Sequence, residues 1–164
     1  EAVTVVLEAG QVSFLFGERR LTSRLIEGSY PDYRSLFPDA HEVDVTIDRA
    51  ALTEALQRVS VIASAQTNTP VVLAISEGGV DVTASNQEAG DAMESVEAAV
   101  NGAPSEGMEI AFNPVYLIAG LEAAGTERVR LELRDGLRAA VIRPVGAEDE
   151  IDDLVYLLMP MRVS

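Results

Sequence analysis

The sequence predicts an α+β protein built from a duplicated βαβββ unit, with two helices on one side of antiparallel sheets. Three observations carry this. Most of the chain falls into short strand-like runs separated by Gly-containing turns. Only two stretches place apolar residues at helical spacing. Those stretches also repeat: Asp48 and Asn113, Leu52 and Leu117, and Leu56 and Leu121 are each 65 residues apart.

Residues 3–7, 11–16 and 21–26 read as three strands, broken at Ala9-Gly10 and Gly17-Glu18. In Gly28-Ser29-Tyr30-Pro31-Asp32-Tyr33-Arg34, Pro31 forces Tyr30 into an extended conformation, so with Phe37-Pro38-Asp39 this stretch reads as a linker. Val43, Val45 and Ile47 alternate with polar residues, as in a half-buried strand. Asp48 then suits the N-cap of a helix running to about residue 63, with Leu52, Ala55, Leu56, Val59 and Ile62 on one stripe. Strands at 71–75 and 80–84 flank a turn at Glu77-Gly78-Gly79, and a third spans about 93–100. The order returns with a strand at 108–112, Asn113 as N-cap, Pro114 at the first helical position and a stripe of Leu117, Gly120, Leu121 and Ala124. Strands at 129–133 and 139–142 flank Asp135-Gly136, and 154–159 forms the last strand. Residues 1–38 fit the scheme as the closing strands of an earlier copy, which makes 39–164 one complete domain of two units.

The composition narrows the function. With 24% charged and 48% hydrophobic residues, the chain reads as globular, and no apolar run reaches the roughly 18 residues of a membrane span. The cytoplasm is the default expectation. The chain opens at Glu1 with no initiator Met and enters an apolar segment directly, as expected of a piece of a longer polypeptide. No Cys is present, which excludes disulfides, thiolate catalysis and zinc–sulfur sites, and a single His leaves little for triads or His-rich metal centres. The 27 acids outweigh 12 bases, all Arg, for a net charge of −15, so the surface as a whole repels phosphate.

Specific strings resemble the bacterial DNA sliding clamp, the β subunit of the replicative polymerase III. Leu21-Thr22-Ser23-Arg24-Leu25 followed by Gly28-Ser29-Tyr30-Pro31-Asp32-Tyr33-Arg34 is similar to the junction between that family's second and third domains. Glu109-Ile110-Ala111-Phe112-Asn113 with Tyr116-Leu117 resembles the segment opening its last helix, and Tyr156-Leu157-Leu158-Met159-Pro160-Met161-Arg162 its C-terminal signature. The resemblance implies a non-catalytic processivity factor. Two full-length subunits would close head to tail around double-stranded DNA, helices inside and sheets outside, and would tether replicative and repair polymerases, the clamp loader and other clamp-motif proteins. It implies no cofactor, no metal and no membrane. Residues 1–38 would end domain two, and 39–164 would be domain three.

Carried over position by position, the resemblance implies a pocket for a short motif with Leu and Phe anchors. Pro31, Ser35 and Leu36 would come from the junction, Asn113 and Tyr116 from the last helix, and Leu137 and Ala139 from the strand after Asp135-Gly136. Leu158, Met159, Pro160, Met161 and Arg162 would complete it. Met adapts to varied apolar ligands, and Asn and Arg can bond a peptide backbone or carboxylate. Position 35 is often basic in the family and is Ser here. For DNA, Arg49 and Arg58 project from the first helix away from its stripe, whereas the second helix carries no base, a departure from the expected basic lining. For the ring seam, Val61 and Ile62 match packing positions, and Glu88, Asp91 and Glu94 match an acidic stretch facing bases of the neighbour.

Other features carry less. Glu148-Asp149-Glu150 with Asp152 and Asp153 lacks the Asp/Asn alternation and central Gly of a calcium loop. His41, in the polar linker beside Glu42, is assigned no role. Two rivals stand beside the clamp reading: an acidic protein-binding module or DNA mimic, which the net charge suits, and a glycosidase-like enzyme with paired carboxylates, for which no buried-looking acid is apparent.

Overall fold

Alternation makes the first strand of the repeat. Val43, Val45 and Ile47 are at most 1% exposed while Asp44 and Thr46 between them are half-buried on the opposite side, which gives β4 (Val43–Asp48) one core face. The protein is described by a computed structural model covering residues 2–63, 69–102, 107–146 and 154–162. It separates into two compact units, Glu1–Tyr33 and Arg34–Ser164.

In the larger unit β4 leads into helix α1 (Arg49–Ala63). Asp48 caps it: its Oδ1 accepts from the Ala51 N–H at 2.7 Å. Strands β5 (Val71–Ser76), β6 (Gly79–Asn86) and β7 (Gly90–Asn101) complete the first repeat. The second runs β8 (Met108–Phe112), α2 (Pro114–Ala124), β9 (Arg128–Leu133), β10 (Ala140–Val145) and β11 (Tyr156–Leu158). Asn113 caps α2 by accepting from the Val115 N–H at 3.0 Å. Gly125, at φ 65°, ends it in the left-handed conformation that glycine adopts without penalty.

All eight strands join one antiparallel sheet in the order β11-β10-β9-β4-β7-β6-β5-β8. Each repeat's opening strand pairs with the other repeat: β4 with β9, and β8 with β5. This exchange welds the repeats together. The inward positions of both helices (Leu52, Leu56, Val59, Leu117 and Leu121) and of the strands (Leu73, Ile75, Val82, Ile110, Phe112 and Leu131) form a single core cluster. Each such Leu or Ile contributes about 1.5–3 kcal/mol of burial free energy.

The smaller unit is a three-stranded antiparallel sheet, β1 (Thr4–Glu8), β2 (Gln11–Phe16) and β3 (Arg19–Arg24). Its register aligns Val5, Phe14 and Leu21 on one side and Val6, Ser13 and Thr22 on the other. The Ser13 and Thr22 hydroxyls are hydrogen-bonded at 2.8 Å, whereas Val5, Leu7 and Leu21 are all more than half exposed. Within the described residues of this unit no helix covers that apolar side.

Several element edges differ from the sequence reading. The third strand begins at Arg19 rather than residue 21, because Gly17, at φ 56°, turns the chain back at once and pairs Phe16 with Arg19. Ile26 then lies beyond the strand and is 97% exposed. The seventh strand begins at Gly90, not near 93, since Asn86 Oδ1 accepts from the Glu88 and Ala89 N–H groups and closes a tight hairpin. The last strand is only Tyr156–Leu158, shorter than 154–159. The acidic run at 148–150, 152 and 153 lies outside the described residues.

Candidate functional site

The two repeats end differently, and the difference opens a cavity. In the first, β7 continues past β6 and pairs with β4 from Asp44↔Asn101 to Ile47↔Ala98. In the second, β11 stops at Leu158 and the following segment contains Pro160, which has no N–H to give a ladder. Among the described residues one bond to β8 is formed, from the Met161 N–H to the Ala111 carbonyl at 2.7 Å. Beside that single bond lies a cavity of about 480 Å³, within the usual range for ligand sites. Ile110, Ala111, Val72 and Glu109 form its sheet side; Gly136, Leu137, Met161 and Arg162 form the other. An adjoining cavity of about 250 Å³ shares those last four residues and adds Met159 and Pro160.

Local sequence explains the walls. Asp135 Oδ1 accepts from the Leu137 and Arg138 N–H groups, both at 2.9 Å, a side-chain turn that leaves Leu137 76% exposed. Gly136 brings that turn against β8: a Cβ there would lie 2.4 Å from the Glu109 carbonyl oxygen. The C-terminal strand is held from the helix side. The Tyr156 hydroxyl donates to the Tyr116 carbonyl at 3.0 Å, and Gly120 allows α2 so close that a Cβ would lie 2.6 Å from the Tyr156 ring. The result is an apolar slot with a carboxylate and a guanidinium at its rim, suited to apolar anchors on a polar backbone.

Of the residues named from sequence, Leu137, Met159, Pro160, Met161 and Arg162 meet at these cavities. Tyr116 is exposed on the first turn of α2, Asn113 is spent on its cap, and Ala139 and Leu158 are buried, the latter within the core. Ser35 and Leu36 belong to a short 3-10 turn, Tyr33–Leu36, and line neither cavity; Pro31 lies in the smaller unit. Val72, Glu109, Ile110, Ala111 and Gly136 were missed. The available signal was Val72 and Ala111, apolar residues at outward strand positions.

Arg49 and Arg58 are both engaged within the chain. Arg49 Nε donates to the Thr126 carbonyl at 2.5 Å. Arg58 reaches from α1 to β7 and forks onto Glu94 at 2.7 and 3.0 Å, with Glu54 at 3.4 Å. The hydrogen bond from Arg58 holds the Glu94 carboxyl below its ordinary range, and Glu94 in turn raises the Arg58 guanidinium. Val61, 70% exposed, lies one turn further along α1, and Ile62 is half-buried. Glu88 and Asp91 are exposed at the β6–β7 hairpin.

His41 sits between two carboxylates, with Nε2 3.2 Å from Asp44 Oδ1 and Nδ1 4.0 Å from Glu132. Among the described residues these three form the one group with metal-ligand spacing. However, Arg143 Nε lies 3.0 Å from both Glu132 oxygens and Arg130 approaches at 3.5 Å. Both guanidiniums converge on Glu132, so the cluster is an ion-pair network with little attraction left for a cation.

With the geometry established, comparison with known proteins places the chain. The family model described as "DNA polymerase III beta subunit, C-terminal domain" matches residues 34–162. The beta sliding clamp of Synechocystis is 35% identical over 164 residues, which is 99% of this chain and 40% of that protein. The beta sliding clamp of Pseudomonas aeruginosa is 34% identical over 161 residues, 98% of this chain and 42% of that one. A crystal structure of the P. aeruginosa clamp bound to griselimycin superposes with a TM-score of 0.83 at 32% identity, covering 98% of this chain and 42% of the other. The chain thus spans about two-fifths of the length of the curated relatives it matches. It is a member of the DNA polymerase III β subunit, or beta sliding clamp, family, and it carries that family's C-terminal domain.

Proposed function

We propose that the chain is the C-terminal portion of a non-catalytic processivity clamp. The full-length subunit pairs with a second copy to encircle double-stranded DNA, and this portion docks replicative and repair polymerases, the clamp loader and other proteins bearing a Leu- and Phe-anchored motif. Residues 1–38 end the preceding domain and 39–164 form the last one. The observation that carries the reading is the cavity of about 480 Å³ beside Met161 and Arg162, lined where the family's pocket is expected.

Two buried anchors supply roughly 3–6 kcal/mol, less than the roughly 8 kcal/mol of a micromolar complex. Backbone hydrogen bonds make up the remainder, so partners bind weakly and exchange. What supports the seam is an exposed Val61 on α1 together with a stretch of β7 that pairs with β6 alone, since β4 meets β7 only from Ala98 onward. DNA is retained by enclosure. Arg49 Nε and the Arg58 guanidinium bond within the chain, so local phosphate binding is weak, with a salt slope of about −2 at most. The DNA-mimic reading is not favoured, because net acidity explains neither the cavity nor the family match.

The test is fluorescence anisotropy of a labelled peptide carrying the Leu and Phe anchors. It is titrated with the chain and with a version ending at Leu158, which keeps β11 whole. Saturable binding by the chain that is lost on truncation is expected. Equal binding by both forms contradicts the cavity assignment.

A further inference from the structure

The sheet face beside the cavity carries a second pattern. On β5 to β8 the inward residues belong to the core, so the alternate residues face away from the helices. Register sets them in rows across the strands. One row runs Ala111–Val72–Thr83–Met93, and the next Glu109–Ala74–Asp81–Ser95. The first is an apolar lane that begins at the cavity, whose lining includes both Ala111 and Val72, and ends at Met93, which is 63% exposed. The second is acidic. Glu109 is exposed at the cavity rim, and Asp81 is half-buried with its Oδ1 accepting from the Ser95 hydroxyl at 2.5 Å, which orients the carboxylate. No Lys or Arg occurs on β5, β6, β7 or β8.

We propose that the lane docks a basic, extended segment contiguous with the anchors that fill the cavity, so that one partner polypeptide uses both; this rests on the reading given under Proposed function. Charge complementarity selects the occupant. A segment crossing the strands lays apolar or aliphatic stems over Val72 and Thr83 while its cations meet Glu109 and then Asp81. These acids are separated by one intervening strand, about 9.5 Å, which one turn of a polyproline II segment, three residues of about 3.1 Å each, spans with its i and i+3 side chains on the same side. The surface therefore favours Lys or Arg at positions i and i+3 of the flank, and it disfavours an acidic flank.

The experiment measures the anisotropy-derived Kd of four peptides with the chain: the anchors alone, the anchors with a Gly/Ser flank bearing two Lys three residues apart at the amino end, the same flank at the carboxyl end, and a Glu-bearing counterpart. The readout is the ratio of flanked to unflanked Kd, which cancels any effect on the anchors themselves. One Lys flank is expected to tighten binding about three- to tenfold, the range for two exposed ion pairs, and the gain should fade in high salt. Asp81→Asn with Glu109→Gln should abolish that ratio, while Glu122→Gln with Glu127→Gln, which removes as much charge from α2 and the loop after it, should preserve it. A ratio near one on the unsubstituted chain, or a gain reduced equally by both pairs of substitutions, overturns the lane and leaves the cavity reading intact. Failure of the unflanked peptide to bind overturns both.

Discussion

The two repeats start alike and finish differently. Both open with a strand, an Asx-capped helix and a strand hairpin, and both bury leucines at equivalent positions, Leu56 and Leu121, each 0% exposed. The first repeat closes its end by running β7 twelve residues long and zipping it onto β4. The second spends three residues on β11, interrupts the chain at Pro160 and, among the described residues, makes one bond to β8. A closed ladder stabilises, whereas a missing one leaves an apolar edge that a ligand can cover. The site is thus where a duplicated fold is left unfinished.

The comparison is broken most severely in the core. Leu56→Ala and Leu121→Ala should each cost about 2–5 kcal/mol, read by urea denaturation as a single transition for the larger unit. Two separated transitions in either variant would contradict one shared core. The turn glycines come next. Gly136→Ala forces a Cβ to 2.4 Å from the Glu109 carbonyl, whereas Gly78, in the β5–β6 turn, has nothing within 4 Å. The former should cost about 1–3 kcal/mol and displace the cavity wall, weakening the anchor peptide; Gly78→Ala should be near neutral in both assays. Pro160→Ala acts the other way: it restores an N–H, lets the tail extend its pairing with β8, and should reduce peptide binding with a stability change within about 1 kcal/mol.

The smallest effect concerns pH. Because Arg58 lowers the Glu94 pKa in the folded state, the link between α1 and β7 is present above the usual carboxylate range and is lost as pH falls through the lowered value. An NMR titration should place the Glu94 midpoint below that of a free glutamate, and Arg58→Gln should return it to the ordinary range. An unchanged midpoint in Arg58→Gln would show that the pair does not form in solution.

Local chemistry made much of this legible. Asp48 and Asn113 announce the helices because a cap is a matter of a few adjacent residues, and alternation in 43–47 identifies a strand without reference to its neighbours. The C-terminal run was readable as a motif. Its counterpart wall was not: Ile110 and Val72 reach the cavity only because β8 pairs with β5, a long-range choice that spacing does not encode. Spacing is equally silent on what the helix arginines, expected to face DNA, meet within the chain. Arg58 and Glu94 are 36 residues apart and meet only once α1 packs on β7.

The most direct test of the unfinished edge uses the chain's four methionines as reporters. Met159 and Met161 line the cavities, whereas Met93 and Met108 do not. Titration of the unflanked anchor peptide into protein labelled at the Met methyl groups should shift Met159 and Met161 and leave Met93 and Met108 in place. Shifts confined to Met93 and Met108, or saturable binding that moves none of the four, would contradict docking at the open end of the second repeat.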